Sequence, residues 1–167
     1  MSRVRELFTF SVDREELDWE NIVKKQQCRY SGKHCFKIRK SQPEFSIGTC
    51  TVRYGSDNKD IIICPHRLLE HRQIFVDCLH LLTSHQPGNE LHLVSEVPVP
   101  GGSVDYFLVS TDINRKVKDF VGIELQTMDT TGIVWPEREL ALQELGLRDN
   151  VHISNKTFGM NWKMTAK

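Results

Sequence analysis

Two groups of residues have types and spacings that could do chemistry. The first is Glu96, Asp105, Glu124 and Gln126. Asp105 follows a Gly101-Gly102-Ser103 turn and enters the apolar run Tyr106–Val109. Glu124 and Gln126 are two residues apart in an extended apolar run, which puts them on one face of a strand and Val121, Ile123 and Leu125 on the other. A buried strand that carries two polar residues on one face needs a reason, because unpaired burial costs several kcal/mol. Hard oxygen donors converging from neighbouring strands are what Mg2+ requires if it is to keep waters for chemistry. Asp105 and Glu124 would hold that ion, with the backbone carbonyl of Leu125 as a third ligand. The Gln126 amide can orient an attacking water but cannot be its base. Activation then falls to the metal, or to a nearby carboxylate such as Glu96. The alternative is a sheet with a solvated polar face.

The second group is Cys28, Cys35, Cys50 and Cys64, separated by six, fourteen and thirteen residues. Tetrahedral thiolate sites take four sulfurs that converge, usually two from each of two short loops. Cys28 and Cys35 enclose an Arg-Tyr-Ser-Gly turn, Gly48 precedes Cys50 by two, and Pro65 follows Cys64 at once. If Cys64 is the N-cap of a helix opened by Pro65, the helix dipole favours its thiolate. Free buried cysteines are the alternative, and His34 or His66 could replace one cysteine as a ligand. Cys78 falls on the apolar side of a helical run and reads as core. From Lys24 to Lys40 there are seven Lys or Arg and no acid. Such a stretch suits a phosphate backbone or a solvated basic loop.

Both groups need a scaffold. The 167 residues suit one domain, or a small module joined to one. Twenty-two basic residues balance 22 acidic ones, which removes the simplest argument for a nucleic-acid binder without excluding local patches. No apolar run reaches the roughly 20 residues of a membrane helix. The opening MSRVRELFTFSVDREELDWE reaches acids before an apolar stretch forms, so no signal peptide is expected there. Five cysteines without a secretory signal fit a cytoplasmic chain whose thiols bind metal or stay free.

Residues 7–13 read as a short strand. Asp13 and Glu16 read as a capping box opening a helix to about Lys25, with Trp19, Ile22 and Val23 on its buried stripe. Residues 28–64 look irregular, with β-like pieces at 50–55 and 60–64. Pro65 opens a helix to about His85, lined by Leu69, Phe75, Cys78, Leu79 and Leu82. Three strands follow, at 91–99, 103–110 and 119–128, the last two apolar enough to be buried on both faces. Pro136 begins a helix that Gly146 ends. Residues 151–155 read as a strand and 161–167 as the start of a helix.

Asp105, eighteen residues, then Glu124-x-Gln126 is a variant of the PD-(D/E)xK nuclease motif, with Gln126 where a Lys is more common. With the upstream cysteines, the sequence resembles the NotI-type restriction endonuclease family. The resemblance rests on C-P-x-R at 64–67, S-V-D at 103–105, I-E-L-Q-T-M-D-T-T-G at 123–132 and G-M-N-W-K at 159–163. It runs from about Cys28 onward. It implies an α/β, PD-(D/E)xK mixed sheet flanked by helices over residues 65–167, preceded by a four-cysteine module over residues 1–64. It further implies a type II enzyme that cleaves double-stranded DNA with Mg2+ and works as a homodimer. Carried over, Cys28, Cys35, Cys50 and Cys64 hold one structural iron, with zinc as the alternative. Asp105, Glu124 and Gln126 form the catalytic set, and Glu96 matches the acid of the preceding strand. Family members continue past this length with a further helix and strand, so the nuclease core is expected to be incomplete, and weak or inactive. The competing reading is a non-catalytic metal knuckle that binds DNA or protein.

Overall fold

The structure, a computed structural model, describes residues 1–39, 42–127, 129–131, 134–148 and 159–161. The protein is mixed α/β, built from antiparallel sheets and a few helices. It divides into two compact units. One comprises Met1–Arg67 with the described residues from Thr127 on; the other is Leu68–Gln126. Among the described residues no helix is long and apolar enough to cross a membrane.

The first unit opens with a hairpin, β1 (Val4–Leu7) and β2 (Phe10–Ser11). The expected single strand over 7–13 is broken here by Phe8 and Thr9, both at positive φ (48° and 76°). Two such residues between paired Leu7 and Phe10 make the primed turn that matches strand twist. Asn-Gly is the usual solution, and Phe-Thr adopts it at a cost. Phe8 is nevertheless fully buried, and that burial holds the turn.

Helix α1 spans Trp19–Lys25, not 13–25. Its cap is Asp18, whose carboxylate accepts the Asn21 N–H at 3.0 Å. Asp13 is engaged elsewhere, by Arg5 of β1 at 3.2 Å. A short pair, β3 (Ile38–Arg39) and β4 (Gln42–Ser46), leads to β5 (Thr49–Tyr54) and β6 (Lys59–Ile62). The sheet order is β2-β1-β5-β6. One core gathers Val4, Leu7, Phe8, Trp19, Cys35, Ala141 and Leu142, with Ile22 and Val23 packed against it. Ala141 and Leu142 come from a later helix in the chain, so residues 28–64 do not build their core alone.

The chain enters the second unit within a 3-10 run, Pro65–Arg72. The helix expected over 65–85 is not continuous. Glu70 is extended (ψ 130°), and His71 and Arg72 have positive φ. A short α2 (Gln73–Asp77) and a 3-10 turn at Leu79–Leu81 follow. The apolar spacing still works, because Ile74, Phe75, Cys78 and Leu82 all pack on Leu108 and Ile123 of the sheet. That sheet is the meander β7 (Glu90–Val99), β8 (Gly102–Thr111), β9 (Val117–Ile123), antiparallel throughout. Burial on both faces, expected for the second and third strands, is not found. Leu108 is buried, while Val117 and Phe120 are exposed. Phe120 instead meets Phe107 edge-on at 5.6 Å, on the face opposite Leu108.

Past this meander, β10 (Asp129–Thr131) pairs with β11 (Gly159–Asn161). Helix α3 (Val134–Glu144) starts two residues before Pro136, which sits in the first turn where its missing N–H is harmless. Gly146 at φ 76° closes it, with Leu147 N–H bonding Leu142 O and Gly146 N–H bonding Gln143 O. The strand expected at 151–155 lies outside the described residues. So does residue 162 onward of the helix expected to begin at 161.

Gly48 has φ 68°, and a Cβ placed there would stand 2.5 Å from the Phe8 ring. Gly48→Ala should therefore destabilise the chain by about 2–4 kcal/mol, from left-handed strain plus overpacking. Denaturant unfolding measures it. A loss under about 0.5 kcal/mol would show that the Phe8 turn is not held as described.

Candidate functional site

All four leading cysteines are buried in the first unit, and all are free thiols. Each sulfur is met by backbone donors. Cys28 Sγ receives N–H groups of Tyr30 and Ser31. Cys35 Sγ receives those of Lys37 and Gly48. Cys64 Sγ receives that of His66, and Cys50 Sγ that of Thr9. In three of the four, a donor is the residue two after the cysteine. Successive N–H groups aimed at one atom make an anion-binding concavity of the kind found at phosphate and iron–sulfur sites.

The strained Phe8–Thr9 turn and the left-handed Gly48 are thus part of the site. Phe8 N–H bonds Gly48 O at 2.7 Å, locking the donors for Cys50 and Cys35 together. The first cysteine loop is closed by Cys28 N–H to Lys33 O and Gly32 N–H to Cys28 O. The Arg67 of C-P-x-R places its Nε 2.9 and 3.1 Å from the Glu6 oxygens and its guanidinium over Tyr30. That ties the Cys64 loop to β1 and to the Cys28 loop.

The thiols interact with one another. A hydrogen bond from Cys50 brings the Cys64 thiol down to about 6, against its burial, with help from Lys37 and the His66 N–H. The same bond, then burial, pushes Cys50 far up. Burial also raises Cys35, against its two N–H donors, and the charges of Cys64 and Cys28 add to the rise. At Cys28 burial acts upward, but the His66 side chain, Ser31 and Tyr30 together outweigh it and lower the thiol. His66 therefore supports Cys28 by hydrogen bonding and stacks on Phe36 at 4.3 Å. His34 instead has Nδ1 3.5 Å from Ser46 Oγ. Among the described residues no three His, Cys, Asp or Glu side chains are grouped closely enough to hold an ion as they stand. The donor chemistry fits a thiolate-bound metal, and loading would require the sulfurs to close inward from the Cys50–Cys64 contact.

Lys37 belongs to this site rather than to a solvated basic loop. Its Nζ donates to the carbonyl of Ile63, beside Cys64. Neither Lys37 nor Thr9 carried a spacing signal. Gly48 did, by its position two residues before Cys50.

The carboxylates form a second constellation, within the second unit. In the β7–β8 register Glu96 falls between the pairs Ser95–Tyr106 and Val97–Val104, so it stands across from Asp105. On the other side Tyr106 pairs with Ile123, which places Glu124 at the same level as Asp105. Three acids thus lie side by side where the meander's strands meet. β9 ends at Ile123, so Glu124 and Gln126 lie beyond the strand and not on one of its faces as expected. The cause is Asp105, whose Oδ2 accepts the Leu125 N–H at 2.7 Å. A side-chain carboxylate has replaced the ladder's backbone acceptor.

Asp105 is half-buried, while Glu96, Glu124 and Gln126 are exposed. Burial raises the Tyr106 hydroxyl, and the charges of Asp105 and Glu96 raise it further. Glu96 has φ 54°, a conformation that costs a non-glycine residue about 1–3 kcal/mol. The Leu125 backbone is brought to Asp105 by its N–H.

Compared with protein-family models, curated proteins and solved structures, the chain finds no match.

Replacing Glu96 with Gly should leave the chain equally stable or stabilise it by about 1 kcal/mol, since the left-handed conformation costs Gly nothing. Thermal and denaturant unfolding of the variant decide this. A clear loss of stability would mean that the Glu96 side chain holds the meander together.

Proposed function

We propose that the chain is a Mg2+-dependent endonuclease for double-stranded DNA, of the NotI-type restriction class and the PD-(D/E)xK superfamily, with a structural metal held by four cysteines. The observation that carries this reading is the alignment of Glu96, Asp105 and Glu124 at one level of an antiparallel meander whose other face is covered by the segment from Ile74 to Leu82. Asp105 and Glu124 are the Mg2+ ligands, with the Leu125 carbonyl beside them. When bound, Mg2+ supplies an activated water and positive charge for the phosphate oxygens. Gln126 orients that water, and Glu96 takes its proton. The exposure of Glu96, Glu124 and Gln126 leaves these groups open to a polyanionic duplex. Two copies of the chain, one per strand, complete a double-strand cut in the cytoplasm.

Cys28, Cys35, Cys50 and Cys64 hold iron in this reading, by resemblance, and zinc is chemically equivalent for four thiolates. A second reading draws on the same cysteines. Their sulfurs are more completely supported by donors than the acids are, as a binding module without catalysis would require.

One experiment separates the two. The purified chain is incubated with unmethylated plasmid in Mg2+ and in EDTA, beside Glu124→Ala. The endonuclease cuts only with Mg2+, and Glu124→Ala loses cutting by orders of magnitude while remaining folded. Full cutting by Glu124→Ala overturns the carboxylate site. Retention of DNA without cutting by the wild type favours the binding module.

The metal centre has its own test. Cys50→Ser should lose metal and thermal stability together, because such binding is coupled to folding. A wild-type chain with less than about 0.2 metal ions and all thiols titratable would overturn it.

A further inference from the structure

A cation lies in the core of the first unit with too little negative charge around it. Arg138, on α3, is 1% exposed. It shares a helix face with Ala141 and Leu142, three and four residues on, and those two belong to the core cluster that contains Phe8 and Cys35. Its guanidinium carbon is 6.0 Å from the Phe8 ring centroid and 4.7 Å from that of Trp135. The Phe8 ring is packed on Gly48, and the Gly48 N–H is one of the two donors to Cys35 Sγ. One aromatic ring and one glycine therefore connect the guanidinium to the cysteine site.

The local charges do not balance without that site. Arg138 Nη1 bonds Glu139 at 2.5 Å, but the other oxygen of Glu139 is 3.6 Å from Arg148. Two cations share one carboxylate, and Arg138 Nε has no partner among the described residues. A buried charge left in excess is costly, and a hydrophobic side chain of similar volume is often neutral or stabilising in its place. The position keeps an arginine all the same. Four thiolates around a divalent ion carry a net double negative charge. Lys37 stands beside Cys64, and Arg138 stands beside Cys35.

We propose that Arg138 is the built-in counter-charge of the four-thiolate metal centre, a positioning residue that lets Cys35 be anionic together with the other three sulfurs. This rests on the metal-centre reading above. The charge of Cys35 in turn favours the charged guanidinium, whose pKa burial otherwise lowers.

The test compares the wild-type full chain with Arg138→Met, Arg138→Lys and Arg148→Met. Zn2+ affinity is read by competition with a chromophoric chelator, and thermal melts are recorded with Zn2+ and with excess chelator. Arg138→Met should weaken Zn2+ binding at least about tenfold, the lower end of what supporting residues of metal sites contribute. Its chelator-treated melt should stay the same or rise. Arg138→Lys should restore most of the affinity, and Arg148→Met should leave it unchanged. Zn2+ affinity of Arg138→Met within about twofold of wild type overturns the proposal, whatever its stability. So does an Arg138→Lys loss as large as that of Arg138→Met, which would make the arginine's shape and not its charge the relevant property. A wild type that binds no Zn2+ overturns the metal centre itself, an outcome distinct from a wild type that binds while Arg138→Met binds equally well.

Discussion

Four sulfurs in one buried place are the constraint on which the first unit depends. A neutral thiol tolerates an apolar core, but several close together repel as soon as they lose protons. The chain meets this with backbone donors and not with surface charge. Thr9, Tyr30, Ser31, Lys37, Gly48 and His66 all aim N–H groups at sulfur. Each demands a particular local conformation, and these conformations account for the irregularity of residues 28–64. The β1–β2 turn takes two non-glycine residues into left-handed geometry because Thr9 must reach Cys50 and Phe8 must cover Gly48. Helix α1 stops at a left-handed Gln26, whose carbonyl then accepts the Cys35 N–H. Helix α3 closes the core from a distant part of the sequence and brings a buried arginine with it.

The second unit answers a different demand. Its meander needs one apolar face covered, and broken helical turns suffice for that, since Ile74, Phe75, Cys78 and Leu82 need only reach the sheet. Its polar end is organised by Asp105, which is both a member of the acid row and the hydrogen-bond acceptor that ends β9. Removing that carboxylate therefore changes charge and backbone path together. Glu124 is a cleaner probe of the acid row because no backbone path turns on its carboxylate.

The features legible in the sequence were those with a period. The three meander strands, the pieces at β5 and β6, and α3 with its closing Gly146 follow from apolar runs, alternation and punctuation. The convergence of Asp105 and Glu124 followed from the strand order. What could not be read was decided by tertiary partners. Asp13 with Glu16 satisfies the capping-box pattern, but Arg5 occupies Asp13 and the cap moves to Asp18. Residues 65–85 have helical spacing, yet His71 and Arg72 interrupt it with no Gly or Pro to signal the break. The donors to sulfur are invisible because every residue but proline owns an N–H, and only its conformation decides where it points. Arg138 looked like an ordinary helical arginine, since a surface cation and a buried one share the same letter.

Strain offers a last link between fold and chemistry. Non-glycine residues at positive φ each cost of order 1–3 kcal/mol, against a total stability of about 5–15 kcal/mol for a domain. They are kept where something over-determines them. Phe8, Thr9 and Gln26 border the cysteines, and Glu96 stands across from Asp105. A chain selected for stability alone would place glycine at these points, as it does at Gly48, Gly101 and Gly146. Phe8 is explained by its burial and its contact with Gly48. Glu96 has no comparable packing, because it is exposed. Its retention in a costly conformation, directly across from a second acid, is accounted for by what the carboxylate does and not by what it stabilises.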